Sequence, residues 1–166
     1  MASDREQIAD FLAQRTLGLV GVSRGGRKFG NIIWKELRAK GYTVFAVHPE
    51  ARRIGGERCW PDLASLPEPV GGVVIVVRPE QTEQVVEEVR RAGIRRVWMQ
   101  PGSESPAAVR ACEEDGIAVV QRECILMFAE PVASIHRVHR WLWKILGKLP
   151  GQARGRVTKA GCEGSP

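Results

Sequence analysis

Short apolar runs alternate with longer amphipathic segments along the first 120 residues of the chain. The run from Gly72 to Val77 contains no polar side chain, which is typical of a strand that is buried on both faces of a sheet. The other runs are also short and end at polar residues, as strands do. The pattern therefore predicts strands at residues 16–22, 43–47, 72–77, 96–99 and 117–120.

The segments between these runs have apolar positions at helical spacing. Helices are predicted at residues 31–40, 79–92 and 105–115, with a short helical piece at 62–66. Residues 52–61 are predicted to form a glycine-containing loop.

Strands that are joined by helix-length connections pair in parallel, with helices on both faces of the sheet. We therefore predict an α/β fold, a doubly wound five-stranded parallel sheet of Rossmann type, with the strand order 3-2-1-4-5 and an extra C-terminal helix. Ligands of such sheets bind outside the carboxyl ends of the strands, where the winding reverses after strand 1.

Composition limits the class of protein. A chain of 166 residues with 43% hydrophobic and 27% charged residues suits a soluble globular domain. The N-terminus carries Asp4, Arg5 and Glu6 and lacks the apolar core of a secretory signal, so a cytoplasmic protein is expected. Widely spaced cysteines, without a CxxC pair, favour free thiols over a metal site. They are Cys59, Cys112, Cys124 and Cys162.

The net charge of +6 comes from the C-terminal region. Residues 131–166 hold seven basic side chains and one acidic, which leaves residues 1–130 with 18 of each. We therefore divide the chain into a nucleotide-binding domain at 1–130, an amphipathic basic helix at 131–149, and a tail at 150–166 whose composition predicts disorder.

The predicted helix at 131–149 has several interpretations. Its apolar stripe, which includes Ile135 and Leu142, suits packing against the domain or a homodimer contact, the usual role of such a stripe. Its basic residues together with Trp141 and Trp143 also suit contact with an anionic membrane surface. No nucleic-acid-binding motif accompanies the basic residues, and nucleic-acid binding is not expected.

The turn after the first strand is rich in glycine and basic residues. Glycines let a backbone approach a ligand closely, and the N-terminus of the following helix attracts anions. Ser23, Arg24 and Lys28 add donors and positive charge. The turn contains neither GxGxxG nor GxxxxGK[ST], and a tight turn alone would not require the basic residues. We therefore predict a pyrophosphate site between Gly21 and Gly30.

The end of the second strand bears on the choice of nucleotide. An NAD site places an acidic residue there for the ribose hydroxyls. This chain has His48-Pro49, followed by Arg52 and Arg53, which suit a phosphorylated ribose, as in NADP or coenzyme A. A solvated loop would account for the two arginines equally well.

A series of short motifs follows these positions in chain order. They are Gly21-Val-Ser23, Phe29-Gly30, Val47-His-Pro49, Gly56-Glu57, Trp60-Pro61, Val77-Arg-Pro79, Val97-Trp-Met-Gln100-Pro-Gly102 and Arg122-Glu-Cys124. Residues 12–128, which contain them, resemble the small stand-alone bacterial CoA-binding domain proteins, relatives of the CoA-binding half of the succinyl-CoA synthetase alpha subunit. Two positions depart from that family, whose usual Asn-Pro is His48-Pro49 here and whose usual Asp before Arg-Cys is Gln121.

The resemblance implies that the cofactor is CoA or an acyl-CoA and that residues at the strand ends line its site. The implied phosphate residues are Gly21, Ser23, Lys28, Phe29 and Gly30, beside Arg24 of the same turn. The implied adenosine and pyrophosphate residues are His48, Pro49, Val77 and Arg78. The basic residues after the second strand make Arg52 or Arg53 the candidate for the ribose phosphate. Gln100 and Gly102 would flank the pantetheine path, and Arg122 and Cys124 would close the edge.

Catalytic groups are less evident than binding groups. If Arg122 lowered the pKa of Cys124, its thiolate could form a mixed disulfide with CoA, but cysteines more often serve as buried packing residues. No acid–base or nucleophile set accompanies the glycine turn. We therefore expect a non-catalytic CoA-binding module. The alternatives are an NAD(P)-dependent oxidoreductase and an interaction protein that acts through its basic helix.

Overall fold

The computed structural model describes residues 4–129 of the chain. In this part the helices are α1 (Asp4–Ala13), α2 (Phe29–Ala39), α3 (Pro79–Arg91) and α4 (Pro106–Glu114), and a 3₁₀ turn spans Ile125–Met127. The strands are β1 (Thr16–Val20), β2 (Thr43–Val47), β3 (Arg53–Ile54), β4 (Glu57–Trp60), β5 (Gly72–Ile75), β6 (Arg96–Met99) and β7 (Ala118–Val120). The predicted helix at 131–149 and the tail at 150–166 lie outside the described residues.

The strands form one sheet in the order β3-β4-β2-β1-β5-β6-β7. β3 is antiparallel to β4, and the other neighbouring strands pair in parallel. The predicted α/β class, with its mainly parallel Rossmann-like sheet, is confirmed.

The predicted strand number and order are wrong. β4 lies within the segment that was predicted to be a loop, and it takes the place beside β2. The strand at Gly72–Ile75 pairs with β1 instead. Once β4 is counted, the six parallel strands have the order 3-2-1-4-5-6, which is usual for dinucleotide-binding sheets.

Local chemistry explains why the hairpin of β3 and β4 was missed. β4 begins with the charged residues Glu57 and Arg58, so it lacks an apolar run. Gly55 and Gly56 have φ values of 58° and 84°, the left-handed pair that a two-residue hairpin turn requires. That glycine pair was the available signal. The short helical piece predicted at 62–66 is also wrong, because these residues form bends and a turn.

Two hydrophobic layers enclose the sheet. On one face, Phe11 of α1 and residues of α2 such as Ile33 pack with Trp98 and with Leu126 of the 3₁₀ turn. On the other face, residues of α3 and α4 such as Val86 pack against the strands. The central strand β5 contacts both layers, and its residues Val73, Val74 and Ile75 are fully buried. This rigid sheet fixes the positions of the loops that follow its strands.

Candidate functional site

The candidate residues follow one row of paired positions at the carboxyl ends of the central strands. The row consists of Trp60, Val47, Val20, Ile75 and Met99. Ladder hydrogen bonds continue for one more residue, since the backbone amides of His48, Val76 and Gln100 donate to carbonyls of this row. The structure therefore brings the ends of β1, β2, β5 and β6 to one edge of the sheet, which we call the carboxyl edge.

Two glycines allow close backbone approaches at the end of β1, Gly30 from α2 and Gly21 from the residue that follows β5. A Cβ atom at Gly30 would lie 2.8 Å from the carbonyl carbon of Gly21 and closer still to its oxygen. A Cβ atom at Gly21, where φ is +121°, would lie 2.6 Å from the carbonyl carbon of Val76. The absence of a side chain at Gly30 therefore lets the first turn of α2 pack directly on the backbone of Gly21. This contact places the N-terminus of α2, with its partial positive charge, at the carboxyl edge.

The turn itself is held by Asn31, a residue that sequence reasoning missed. Its buried side-chain oxygen accepts hydrogen bonds from the Ser23 backbone amide at 3.0 Å and from the Ser23 hydroxyl at 2.9 Å. Its side-chain amide donates to the Ser23 carbonyl at 3.0 Å. Both donors of Ser23, a predicted phosphate residue, are therefore engaged in shaping the turn. A polar residue in the first turn of α2 gave little sequence signal for this role.

His48 organises the turn after β2. Its Nδ1 accepts hydrogen bonds from the backbone amides of Glu50 and Ala51, each at 3.1 Å. An accepting Nδ1 carries no proton, so the neutral imidazole has its hydrogen on Nε2. An asparagine Oδ1 stands at the same position along the side chain, which explains how histidine replaces the family's usual asparagine.

Arg24, a predicted ligand residue, forms an exposed ion pair with an acidic residue of the next loop. Its guanidinium pairs with the Glu50 carboxylate at 3.2 Å and links the turns after β1 and β2. The pair is exposed, so its contribution to stability is small.

Other basic side chains in the loops after the strands are exposed and have no ion pair or side-chain hydrogen bond to another residue of the range 4–129. They are Arg27, Lys28, Arg52, Arg78 and Arg122, and we call them the cationic rim. Pro49 and Phe29, from the same loops, are also exposed, and Phe29 keeps 43% of its surface accessible. Val77 is half-buried beside Arg78. The cationic rim places positive charge around the carboxyl edge, where it could attract a polyanion.

Gln100 is the unusual residue of this edge. It is 1% exposed, yet neither Nε2 nor Oε1 has a hydrogen-bond partner within the described part of the chain. Native proteins rarely leave a buried amide in this state.

Glu104, which sequence reasoning also missed, links the loops that follow β6 and β7. Its carboxylate accepts hydrogen bonds from the backbone amides of Gly102 at 2.7 Å and Arg122 at 3.0 Å. Arg122 has a φ of 62°, a left-handed conformation that is uncommon for a residue with a side chain. Glu104 thus helps to hold Arg122 in the conformation that places it on the rim.

Cys124 does not have the properties of a reactive thiol. It is half-buried and packs against the core layer of α2. Burial raises the pKa of this thiol, and the Glu123 carboxylate raises it further. The notion that Arg122 activates Cys124 is therefore not supported, and the packing interpretation accounts for the residue.

A groove of about 670 Å³ runs beside the outer edge of β7. Its lining includes Ile8 of α1, Glu113 of α4 and Val119, and it reaches the carboxyl edge only at Arg122 and its neighbours. The glycine turn does not contribute to it. Within residues 4–129, no helix is long and apolar enough to cross a membrane, and no His, Cys, Asp and Glu side chains gather in a group that could hold a metal ion.

The fold is that of a Rossmann-type domain, with a helix N-terminus and exposed basic side chains at the edge where the winding of the sheet reverses. Comparison with known proteins gives the family. The family model described as a CoA binding domain matches residues 15–130, and the chain belongs to this family. The resemblance identified from the motifs is confirmed.

The chain is also similar to individual known proteins. Acetate–CoA ligase [ADP-forming] I of Archaeoglobus fulgidus is 30% identical over 129 residues, which cover 72% of this chain and 19% of the ligase. A conserved hypothetical protein of Pyrococcus furiosus is 39% identical, with a TM-score of 0.63 and coverage of 67% of this chain and 96% of that one. A hypothetical protein of Pyrococcus horikoshii is 28% identical, with a TM-score of 0.69 and coverage of 75% and 87%. The chain thus spans about a fifth of the curated ligase that it matches.

Proposed function

We propose that this chain binds coenzyme A or an acyl-CoA at the carboxyl edge and has no catalytic activity of its own. The observation that carries the proposal is the seating of α2 on the end of β1. The contact between Gly30 and Gly21 holds the positive end of the helix at the edge, and Lys28 at the N-cap makes no side-chain cap hydrogen bond. Phosphates bind readily at such a helix end.

The cationic rim supports the same ligand class. Coenzyme A carries a pyrophosphate and a 3′-phosphate, and these charges are best held by several basic groups arranged around one edge. Arg27 and Lys28 adjoin the glycine turn, and Arg52 and Arg78 follow β2 and β5. Their lack of protein partners within residues 4–129 leaves their charges available to a ligand.

The hairpin separates the two arginines that the sequence could not distinguish. β3 is antiparallel to β4, so the chain leaves the carboxyl edge as it passes from Arg52 to Arg53. The Arg53 guanidinium donates to the Gly56 carbonyl at 3.0 Å and belongs to the hairpin turn. Arg52 lies nearer the edge and is the better candidate for the 3′-phosphate.

The described residues offer little for acid–base or nucleophilic chemistry. His48 is the one histidine among residues 4–129, and its Nδ1 is engaged in the turn after β2. Burial raises the pKa of the thiols of Cys59, Cys112 and Cys124, which disfavours the nucleophilic thiolate. These properties support a binding module that delivers or stores its ligand.

Calorimetry of the full chain with CoA, dephospho-CoA and NADP tests the proposal. CoA should bind most tightly, and Arg52→Ala should weaken CoA by about 5- to 30-fold, the equivalent of one charge-assisted hydrogen bond, while dephospho-CoA is unaffected. Arg53→Ala is the matched control and should leave both affinities unchanged. Equal affinities of the wild-type protein for CoA and dephospho-CoA would exclude Arg52 as a residue that binds the 3′-phosphate. Tighter binding of NADP, or no binding of CoA, would refute the proposed function.

A further inference from the structure

The outer edge of β7 is an unpaired side of the sheet, and the groove of about 670 Å³ lies along it. We call this groove the β7 groove. β7 is the last strand of the sheet within residues 4–129, and β6 pairs with its inner side. The backbone amide of Ala118 donates to the Arg95 carbonyl and therefore faces inward. Backbone groups alternate in direction along a strand, so Val119 directs its N–H and C=O outward, into the groove. An unpaired strand edge of this kind is a template for a further strand.

Helices from both faces of the sheet form the walls of the β7 groove. Ile8 of α1 contributes an apolar side chain on one face, and α4 borders the groove on the other face through Glu113. Residues 116–123 line the groove continuously, so it follows β7 beyond both of its ends. An extended segment of about six residues, roughly 20 Å long, matches this course.

The β7 groove is acidic at both of its ends. Asp4 and Glu123 lie together at the end near the carboxyl edge, where burial and the neighbouring Asp4 carboxylate raise the pKa of Glu123. Glu113 lies at the opposite end, close to the point where α4 ends and β7 begins. None of these carboxylates has an ion pair within residues 4–129, and Arg122 is the one basic side chain of the lining. The excess of negative charge favours a basic occupant.

The same carboxylates argue against a second copy of this chain as the occupant. If two β7 strands paired edge to edge in antiparallel fashion, Glu113 of each copy would approach Asp4 and Glu123 of the other. Like charges at both ends of the contact would oppose this pairing. Charged side chains beside a sheet edge commonly prevent self-association in this way. A basic strand would meet attraction at the same positions.

We propose that the β7 groove binds an extended, basic segment of a partner protein, which adds a strand to the outer edge of β7. Backbone hydrogen bonds with Val119 contribute affinity, as in other cases of strand addition. Lys or Arg side chains near the two ends of the segment pair with Glu113 and with the carboxylates of Asp4 and Glu123. The proposal is independent of the proposed function, because the β7 groove and the glycine turn share no residue.

Fluorescence anisotropy of the full chain with labelled eight-residue peptides tests the proposal. The basic peptide alternates Lys with Val and Thr, and two matched peptides replace every Lys by Glu or every Val and Thr by Pro. Proline lacks the backbone N–H that a strand needs. Because the full chain has a net charge of +6, a general electrostatic attraction would favour the acidic peptide. We expect the basic peptide to bind, and each matched peptide to bind at least tenfold more weakly.

Two variants with the same change of charge locate the contact. Glu113→Lys reverses a charge of the β7 groove, and Glu68→Lys is the matched control at an exposed position of the loop before β5. A lysine in the last turn of α4 suits the helix dipole, so Glu113→Lys should fold. It should bind the basic peptide at least fivefold more weakly than wild type. Glu68→Lys should bind it within twofold of wild type.

Amide hydrogen exchange of the wild-type chain tests strand addition directly. The outward amide of Val119 should exchange at least tenfold more slowly when the basic peptide is bound, because it then donates to the added strand. Val120 is the internal control, since its amide faces β6 in both states. Its exchange should not respond to the peptide.

Other outcomes overturn the proposal. Tighter binding of the acidic peptide, or an equal loss in both charge variants, would indicate a general charge effect. Equal binding of the proline-containing peptide, or unchanged exchange of Val119, would mean that no strand is added to β7. Slow exchange of Val119 in the free chain, without peptide binding, would mean that the edge is already covered, and a dimer in sizing chromatography would then identify a second copy as the occupant. Fast exchange without peptide binding would mean that the β7 groove does not bind basic strands.

Discussion

The contact between Gly30 and Gly21 gives the sharpest test of how the site is built. In Gly30→Ala, the new methyl carbon would start 2.8 Å from the Gly21 carbonyl carbon and 3.3 Å from the Val22 nitrogen. Non-bonded carbons are comfortable at about 3.5 Å, so α2 must withdraw from the turn by on the order of 1 Å. The atoms that the new methyl group would meet belong to the backbone, so no change of side-chain rotamer can relieve the contact.

The expected change in the free energy of unfolding follows from two opposing effects. Overpacking at a rigid contact costs roughly 1–3 kcal/mol, and replacing a helical glycine by alanine returns about 0.5–1 kcal/mol. The free energy of unfolding should fall by about 1–2 kcal/mol, which corresponds to about 2–8 °C in melting temperature for a chain of this size. The donors at the start of α2 move with the helix, and CoA affinity should fall by about tenfold.

Gly25→Ala is the matched control for this experiment. A Cβ atom at Gly25 would meet nothing within 4 Å, although the residue lies in the same turn. Its melting temperature should equal that of wild type in a thermal melt followed by circular dichroism. If Gly30→Ala melts together with Gly25→Ala and wild type, the close approach of α2 to β1 does not exist as described, and the phosphate site loses its structural basis.

Two further predictions concern side chains at the carboxyl edge. Lys28→Ala should weaken CoA binding by about 1–2 kcal/mol in calorimetry, because a charge-assisted hydrogen bond is lost. Lys35→Ala, on the exposed side of α2, is the control and should not weaken binding. Equal effects of the two variants would indicate a general charge effect. His48→Asn should be as stable as wild type in urea unfolding, because the asparagine Oδ1 can accept hydrogen bonds from the same two backbone amides. His48→Leu should lose about 1–2 kcal/mol of stability in the same experiment. Identical unfolding midpoints for the two variants would contradict the role of His48 as the acceptor in this turn.

The apolar pattern determined the class of fold and the edge at which function is expected. Buried runs such as Val73–Ile75 and amphipathic stretches such as α3 can be recognised locally, because burial and periodicity leave their mark on neighbouring residues. Parallel pairing of such runs then places every loop that follows a strand at one edge. Most of the motif positions between Gly21 and Cys124 fall on or next to these loops for that reason, although Gly56-Glu57 lies at the hairpin turn instead, and the family was identified from them.

The order of the strands lay beyond this local pattern. β4 has four residues, two of them charged, and its stability depends on pairing with β2 and on the Gly55-Gly56 turn. Without β4, the sequence assigned its place to the strand at Gly72–Ile75. A short strand with polar residues is defined by its neighbours in space and much less by its own composition.

Within the site, the sequence determined which chemical groups are present, and the tertiary structure decided which of them are free. The sequence predicts Ser23 and Arg24 as ligand residues, and only the structure shows that Asn31 and Glu50 contact them across turns. Gln100 looked like one motif residue among many, and only the packing of the sheet shows that it is buried without a partner. Hydrogen bonding and burial are sums over contacts between residues that are distant in sequence, and those contacts exist only once the chain has folded.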